Sequence, residues 1–123
     1  YNRFERQGGG HLVVVTSVGG LRGGGEAPAY NASKAYQINY LESLRQKACR
    51  QKLPIRVVDI RPGSVRTAMM KGEGHFWIAS PQRAAQCICR AVRKGRSVQY
   101  VTPRWRWIGL VLKIIPRSLY RRM

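Results

Sequence analysis

Tyr30 and Lys34 stand four residues apart in Tyr30-Asn-Ala-Ser-Lys34, and Ser17 lies thirteen residues before the tyrosine. A separation of four puts two helical side chains on one face, one turn apart. A phenol beside an ammonium is a pairing suited to moving protons. The phenol titrates at about 10 when unperturbed, too high for a base at neutral pH, and a nearby positive charge favours its anion. Each unit of lowering corresponds to about 1.36 kcal/mol, so a shift of roughly two or three units would poise a tyrosine for acid–base catalysis. A serine hydroxyl facing the same point could hold a substrate oxygen and support charge developing there. These three residue types suit a reaction in which a hydride moves at an alcohol carbon while a proton moves on its oxygen.

The surrounding elements must bring the three groups together. Leu12-Val-Val-Val-Thr16 is a β-branched run that reads as a strand buried on both faces. Ser17 follows at its carboxyl end, where open parallel sheets place their ligand crevice. A glycine-rich loop spans Gly19 to Gly25 and reads as flexible, and Pro28 sits where the first turn of a helix tolerates proline. A helix is predicted from about Ala29 to Arg50. Ile38, Leu41, Leu44 and Ala48 fall on one side of it, Lys47, Arg50 and Lys52 suit its negative end, and Pro54 stops it. Ile55 to Ile60 reads as a second strand, closed by Pro62-Gly63. Ser80 is an N-cap candidate with Pro81 at the first helical position, opening a helix to about Lys94, and Ser97 to Thr102 reads as a third strand.

This order predicts an α/β fold: a partial Rossmann-type, doubly wound parallel sheet of about three strands, with flanking helices and right-handed crossovers. Residues 1–103 would form its body and 104–123 a basic, amphipathic tail. Three strands are few for such a sheet. The chain also starts with Tyr1 inside what reads as a polar helix end, Asn2 to Gln7. Both features predict a fragment whose start lies upstream.

Charge bears on partners. There are 23 Lys and Arg against 5 Asp and Glu, a formal net charge of +18, and no acidic residue follows Glu73. Such a field attracts anions: dinucleotide phosphates, nucleic acid or an anionic membrane. The basic residues lie mainly at helix ends and in the tail rather than on one recognition helix, which disfavours nucleic acid. In the tail, Arg104-Trp-Arg-Trp107 and the apolar stretch from Ile108 to Ile115, interrupted by Lys113, are too short to span a bilayer but suit a peripheral membrane contact. Cys49, Cys87 and Cys89 make no disulfide framework, and with His11 and His75 isolated no zinc spacing exists. Packing across a missing upstream half, or against a neighbouring subunit, would explain the same tail residues. Reduced cysteines predict a cytoplasmic protein, with peripheral membrane association through the tail as one of these alternatives.

Gly19-Gly-Leu-Arg-Gly23-Gly-Gly25 mimics a phosphate-binding turn after a strand. The helix beyond it opens only after Glu26, Ala27 and Pro28, so its positive end would not meet a phosphate at the last glycine.

Four elements in order resemble the short-chain dehydrogenase/reductase family. They are Gly10-His-Leu-Val-Val-Val-Thr-Ser17-Val-Gly-Gly, Tyr30-Asn-Ala-Ser-Lys34, the strand from Leu53, and its continuation Arg61-Pro-Gly-Ser-Val-Arg-Thr67. The likeness runs from about Gly10 to Tyr100. It implies an NAD(P)-dependent oxidoreductase interconverting a secondary alcohol and a carbonyl, using NAD or NADP and a small-molecule substrate. By the same resemblance Tyr30 is the acid/base, Ser17 orients the substrate oxygen, and Lys34 tunes the tyrosine and binds the nicotinamide ribose. Pro62, Gly63, Val65 and Thr67 would cradle the nicotinamide, and residues 68–79 would cover the substrate. A homo-oligomer is implied too, paired through the helix bearing Tyr30. The family's amino-terminal cofactor-binding half, with its glycine-rich turn, does not appear in these 123 residues, so the chain alone is expected to be inactive. The competing reading is a non-catalytic basic module or remnant that binds anionic membrane or nucleic acid.

Overall fold

A computed structural model describes residues 1–67 and 76–122. Its elements are α1 (Asn2–Arg6), β1 (Gly10–Val15), a 3-10 turn (Val18–Leu21), α2 (Pro28–Arg50), β2 (Ile55–Pro62), α3 (Pro81–Arg93), β3 (Val98–Val101), α4 (Trp105–Ile114) and α5 (Arg117–Tyr120). The three strands form one parallel sheet in the order β1-β2-β3. This is the partial Rossmann-type α/β arrangement that the strand and helix patterns predict.

The register explains which side chains meet. Leu12 pairs with Val57, Val14 with Asp59 and Val15 with Ile60; Tyr100 pairs with Arg61 and Val101 with Pro62. Because side chains alternate along a strand, the sheet has two different faces. On one, Leu41, Leu44 and Ala48 of α2 bury Ile55 and Val57, with Leu12 and Val14 alongside. On the other, Ala84 and Ala91 of α3 pack with Val58, Ile60 and Val101.

Two expectations change here. The strands step across the sheet in one direction while α2 and α3 lie on opposite faces, so the two crossovers have opposite hands. Two right-handed crossovers would have put both helices on the same side. Second, β1 is not buried on both faces. It lies at the edge of the described sheet, and α3 covers β2 and β3 only, leaving Val13 and Val15 exposed.

The helix ends follow local chemistry. Ser80 caps α3 by accepting a hydrogen bond from the Arg83 N–H at 3.2 Å, with Pro81 at the first helical position. The carboxyl end of α2 closes with Lys52 N–H to Cys49 C=O and Leu53 N–H to Ala48 C=O, and Lys52 takes a φ of 53° to do so. The tail is folded onto the body. Arg22 Nη1 donates to the carbonyls of Leu112 and Ile115 at 2.8 and 2.6 Å, satisfying the last turn of α4. Its guanidinium lies 4.4 Å from the Tyr120 ring centre, and the Tyr120 hydroxyl donates to Gly23 C=O. The glycine loop is therefore held at Arg22 and Gly23 by the tail.

Candidate active site

Ser17 leaves β1 in an extended conformation, and its Oγ accepts the Gly19 N–H at 3.0 Å, starting the 3-10 turn. Among the described residues Ser17 Oγ acts only as an acceptor, which leaves its own proton to donate. Asn31 fixes the same turn from the helix side, its Nδ2 donating to Gly19 C=O at 2.6 Å. Gly20 then lies directly on α2. A Cβ there would sit 2.7 Å from the Lys34 carbonyl carbon and 2.9 Å from the Ala35 nitrogen, closer than backbone atoms can yield. The absence of a side chain at position 20 lets the end of β1 approach the first turns of the helix.

That approach brings the three sequence-predicted residues together. A point just off Gly19, where a Cβ would be, is 3.4 Å from Ser17 Oγ and 3.6 Å from Tyr30 Cε1. Tyr30 lies in the first turn of α2 and is 43 % exposed, so its ring borders open space. One turn on, Lys34 Nζ lies 5.7 Å from the Tyr30 ring centre and donates to Val15 C=O at 3.0 Å. An ammonium carries three donors, and this bond to the strand engages one of them.

Pro62 and Gly63 end the neighbouring strand. The Val15–Ile60 pairing puts Pro62 level with Ser17, and adjacent strands run about 4.8 Å apart. Gly63 N–H donates to Val101 C=O, and the Trp105 indole lies directly against Gly63. Phe76 stacks on that indole at 5.0 Å between ring centres, and Trp77 meets it edge-on at 6.0 Å. Both remain part-exposed, so they line the surface beside Gly63 rather than fill a core. Val65 bridges to Ala79 through Arg66 N–H to Ala79 C=O and Ala79 N–H to Ser64 C=O. The N–H and C=O of Val65 itself take no backbone partner among the described residues. Thr67 is exposed. His75 and most of the 68–79 segment lie outside the described residues.

This donor set has the kinds of hydrogen-bonding group that the ribose and carboxamide of a nicotinamide nucleotide would need. It offers two further ammonium protons at Lys34, a peptide donor and acceptor at Val65, and an exposed hydroxyl at Thr67. The glycine loop has no comparable fit to a pyrophosphate, because α2 opens at Pro28, beyond the last glycine. Among the described residues no group of three or more metal-ligating side chains occurs, and the three cysteines are free. No described helix is long and apolar enough to cross a membrane.

Sequence reasoning missed a buried polar cluster behind the site. Thr16 Oγ1 donates to Asp59 Oδ1 at 2.6 Å, Arg61 Nε donates to Asp59 Oδ2 at 2.7 Å, and Arg61 Nη1 reaches the Tyr100 hydroxyl at 3.3 Å. Burial alone would push the Arg61 guanidinium down, but the hydrogen bond and charge of Asp59, helped by Tyr100, reverse this and hold it above its ordinary value. The available signal was an aspartate and an arginine two apart in a largely apolar strand, hence on one face.

Comparison with known proteins accords with this geometry. The family model described as short chain dehydrogenase matches residues 1–76. An uncharacterized oxidoreductase of Mycobacterium tuberculosis is 33 % identical over 97 % of this chain and 47 % of its own length. A mouse 3-oxoacyl-[acyl-carrier-protein] reductase is 38 % identical over 57 % of this chain and 30 % of its own. Among solved structures, the bulky-bulky ketone specific alcohol dehydrogenase from Comamonas testosteroni superposes with a TM-score of 0.63, at 19 % identity, over 95 % of this chain and 47 % of that one. The chain thus spans about half the length of the curated oxidoreductases it matches along nearly its whole length. The matched residues include the strand, turn and helix that join Ser17 to Tyr30 and Lys34, and the chain belongs to the short-chain dehydrogenase family.

Proposed function

We propose that this chain carries the proton-handling half of an NAD(P)-dependent oxidoreductase that interconverts a secondary alcohol and a carbonyl. The observation that carries the reading is the convergence of Ser17 Oγ and the Tyr30 ring on one point beside Gly19, with Lys34 Nζ 5.7 Å from that ring. In the reducing direction Tyr30 Oη gives its proton to the substrate oxygen, and in the oxidising direction it takes the proton of the alcohol. Ser17 Oγ donates a hydrogen bond to the same oxygen and so supports its developing negative charge. Lys34 supplies the positive charge beside the phenol and is anchored by its bond to Val15 C=O. The nicotinamide, when bound, gives or accepts the hydride at the substrate carbon. Lys34, Pro62, Gly63, Val65 and Thr67 would hold its ribose and carboxamide.

Tyr36 and Tyr40 stack at 5.8 Å on the exposed side of α2, and this aromatic surface supports pairing of two copies through that helix. The acid/base role is tested by Tyr30→Phe in an active, cofactor-binding form of the protein. Turnover should fall by roughly 10²- to 10⁴-fold, with nicotinamide binding, followed by cofactor fluorescence, nearly unchanged. Normal turnover in that variant would refute the assignment.

A further inference from the structure

Helix α4 carries two apolar stripes on opposite sides. Trp105, Ile108, Gly109 and Leu112, at helical spacing, face the body, with Trp105 and Gly109 buried. Trp107, Leu110, Val111 and Ile114 repeat that spacing half a turn away and are 67, 47, 56 and 71 % exposed. Among the described residues nothing covers this second stripe. Arg106 and Lys113 lie along one flank between the two. Lys113, Arg117 and Arg121 line an open groove between the tail and the Leu21–Gly23 segment.

We propose that the outer face of α4 docks on an anionic phospholipid bilayer. Trp107, Leu110 and Ile114 would enter the boundary between headgroups and acyl chains, while Arg106, Lys113 and Arg117 meet lipid phosphates. Two observations select this occupant. The charged residues that α4 and α5 themselves carry are all cations, since no acidic residue follows Glu73 in the sequence, and each such cation near an anionic leaflet adds to attraction. A second copy of this chain seated on the same face would bring Arg106, Lys113 and Arg117 against their own like charges, the wrong complementarity for a seam flanked by cations. Ten helical residues extend only about 15 Å, half a hydrocarbon core, so α4 lies in the plane of the interface rather than across it. The inference is independent of the proposed oxidoreductase activity.

The test is co-sedimentation of the chain with phosphatidylcholine vesicles, with and without about 30 mol % phosphatidylserine. Binding is expected to the anionic vesicles and to persist in part at about 0.5 M salt, where charge attraction alone is largely screened. The neutral double variant Trp107→Ser/Ile114→Ser keeps the full net charge and should weaken binding by about tenfold or more. Equal binding by this variant would show simple adsorption of a cation and overturn the proposal. A readout that does not depend on the variant's folding is quenching of tryptophan fluorescence by brominated acyl chains in the unaltered protein. Quenching supports insertion of Trp107. Absence of quenching, or a chain that stays in the supernatant because the face pairs with a protein instead, overturns it.

Discussion

Asp59 is fully buried, and both of its oxygens are engaged, one by Thr16 and one by Arg61. Removing one member of such a pair leaves the other charge dry and uncompensated, at a cost of about 3–5 kcal/mol. Asp59→Ala should therefore lower the urea midpoint sharply. The double variant Asp59→Val/Arg61→Met, which removes both charges together, should recover most of the loss. Equal losses in the single and double variants would show that the cluster acts through packing alone. The catalytic candidates were legible as letters because their spacing is local: one turn of helix between Tyr30 and Lys34, one strand-to-helix loop between Ser17 and Tyr30. The cluster was not legible in the same way, because Thr16 and Tyr100 reach Asp59 and Arg61 only through strand pairing. Trp105 was read as part of a tail, and its contact with Gly63 likewise depends on how the chain folds back.

At the level of the elements, α2 and α3 end by the same device with different residues. In α3 the left-handed position is Gly95, at φ 62°, and in α2 it is Lys52, at φ 53°. A side chain in that region costs about 1 kcal/mol relative to glycine. Lys52→Gly should raise stability by up to about that amount, read as a shift in the urea midpoint with an unchanged slope. The Arg22 contact with α4 makes a second prediction. Arg22→Ala removes two bonds to terminal carbonyls and the stack on Tyr120. It should cost about 1–3 kcal/mol locally and speed amide exchange across α4 and α5 more than in the sheet. Uniform acceleration would mean that the tail and body unfold as one unit. Strand and helix positions could be read to within about two residues, because β-branched runs, Ser80-Pro81 and Pro54 are local signals. The opposite hands of the two crossovers left no such mark, since β2 places apolar residues on both faces and its residue pattern does not say which helix covers which side.

For the molecule as a whole, the dominant quantity is the net charge of +18. Confining that much like charge in a small volume works against the compact state. Raising ionic strength from about 0.02 to 0.5 M shortens the screening length severalfold, and the melting temperature should rise. A melting temperature that falls steadily over this range would mean that specific ion pairs outweigh the general repulsion. The exposed Val13 and Val15 give the same experiment a second face. They sit on β1, whose outer backbone groups are left unbonded by the described sheet, and a valine-rich rim of this kind is a template for another strand of its own kind. Mutual repulsion keeps two such rims apart at low salt. The condition that tightens each molecule thus also removes the barrier between molecules, so concentrated samples should gain heat resistance and lose colloidal lifetime together.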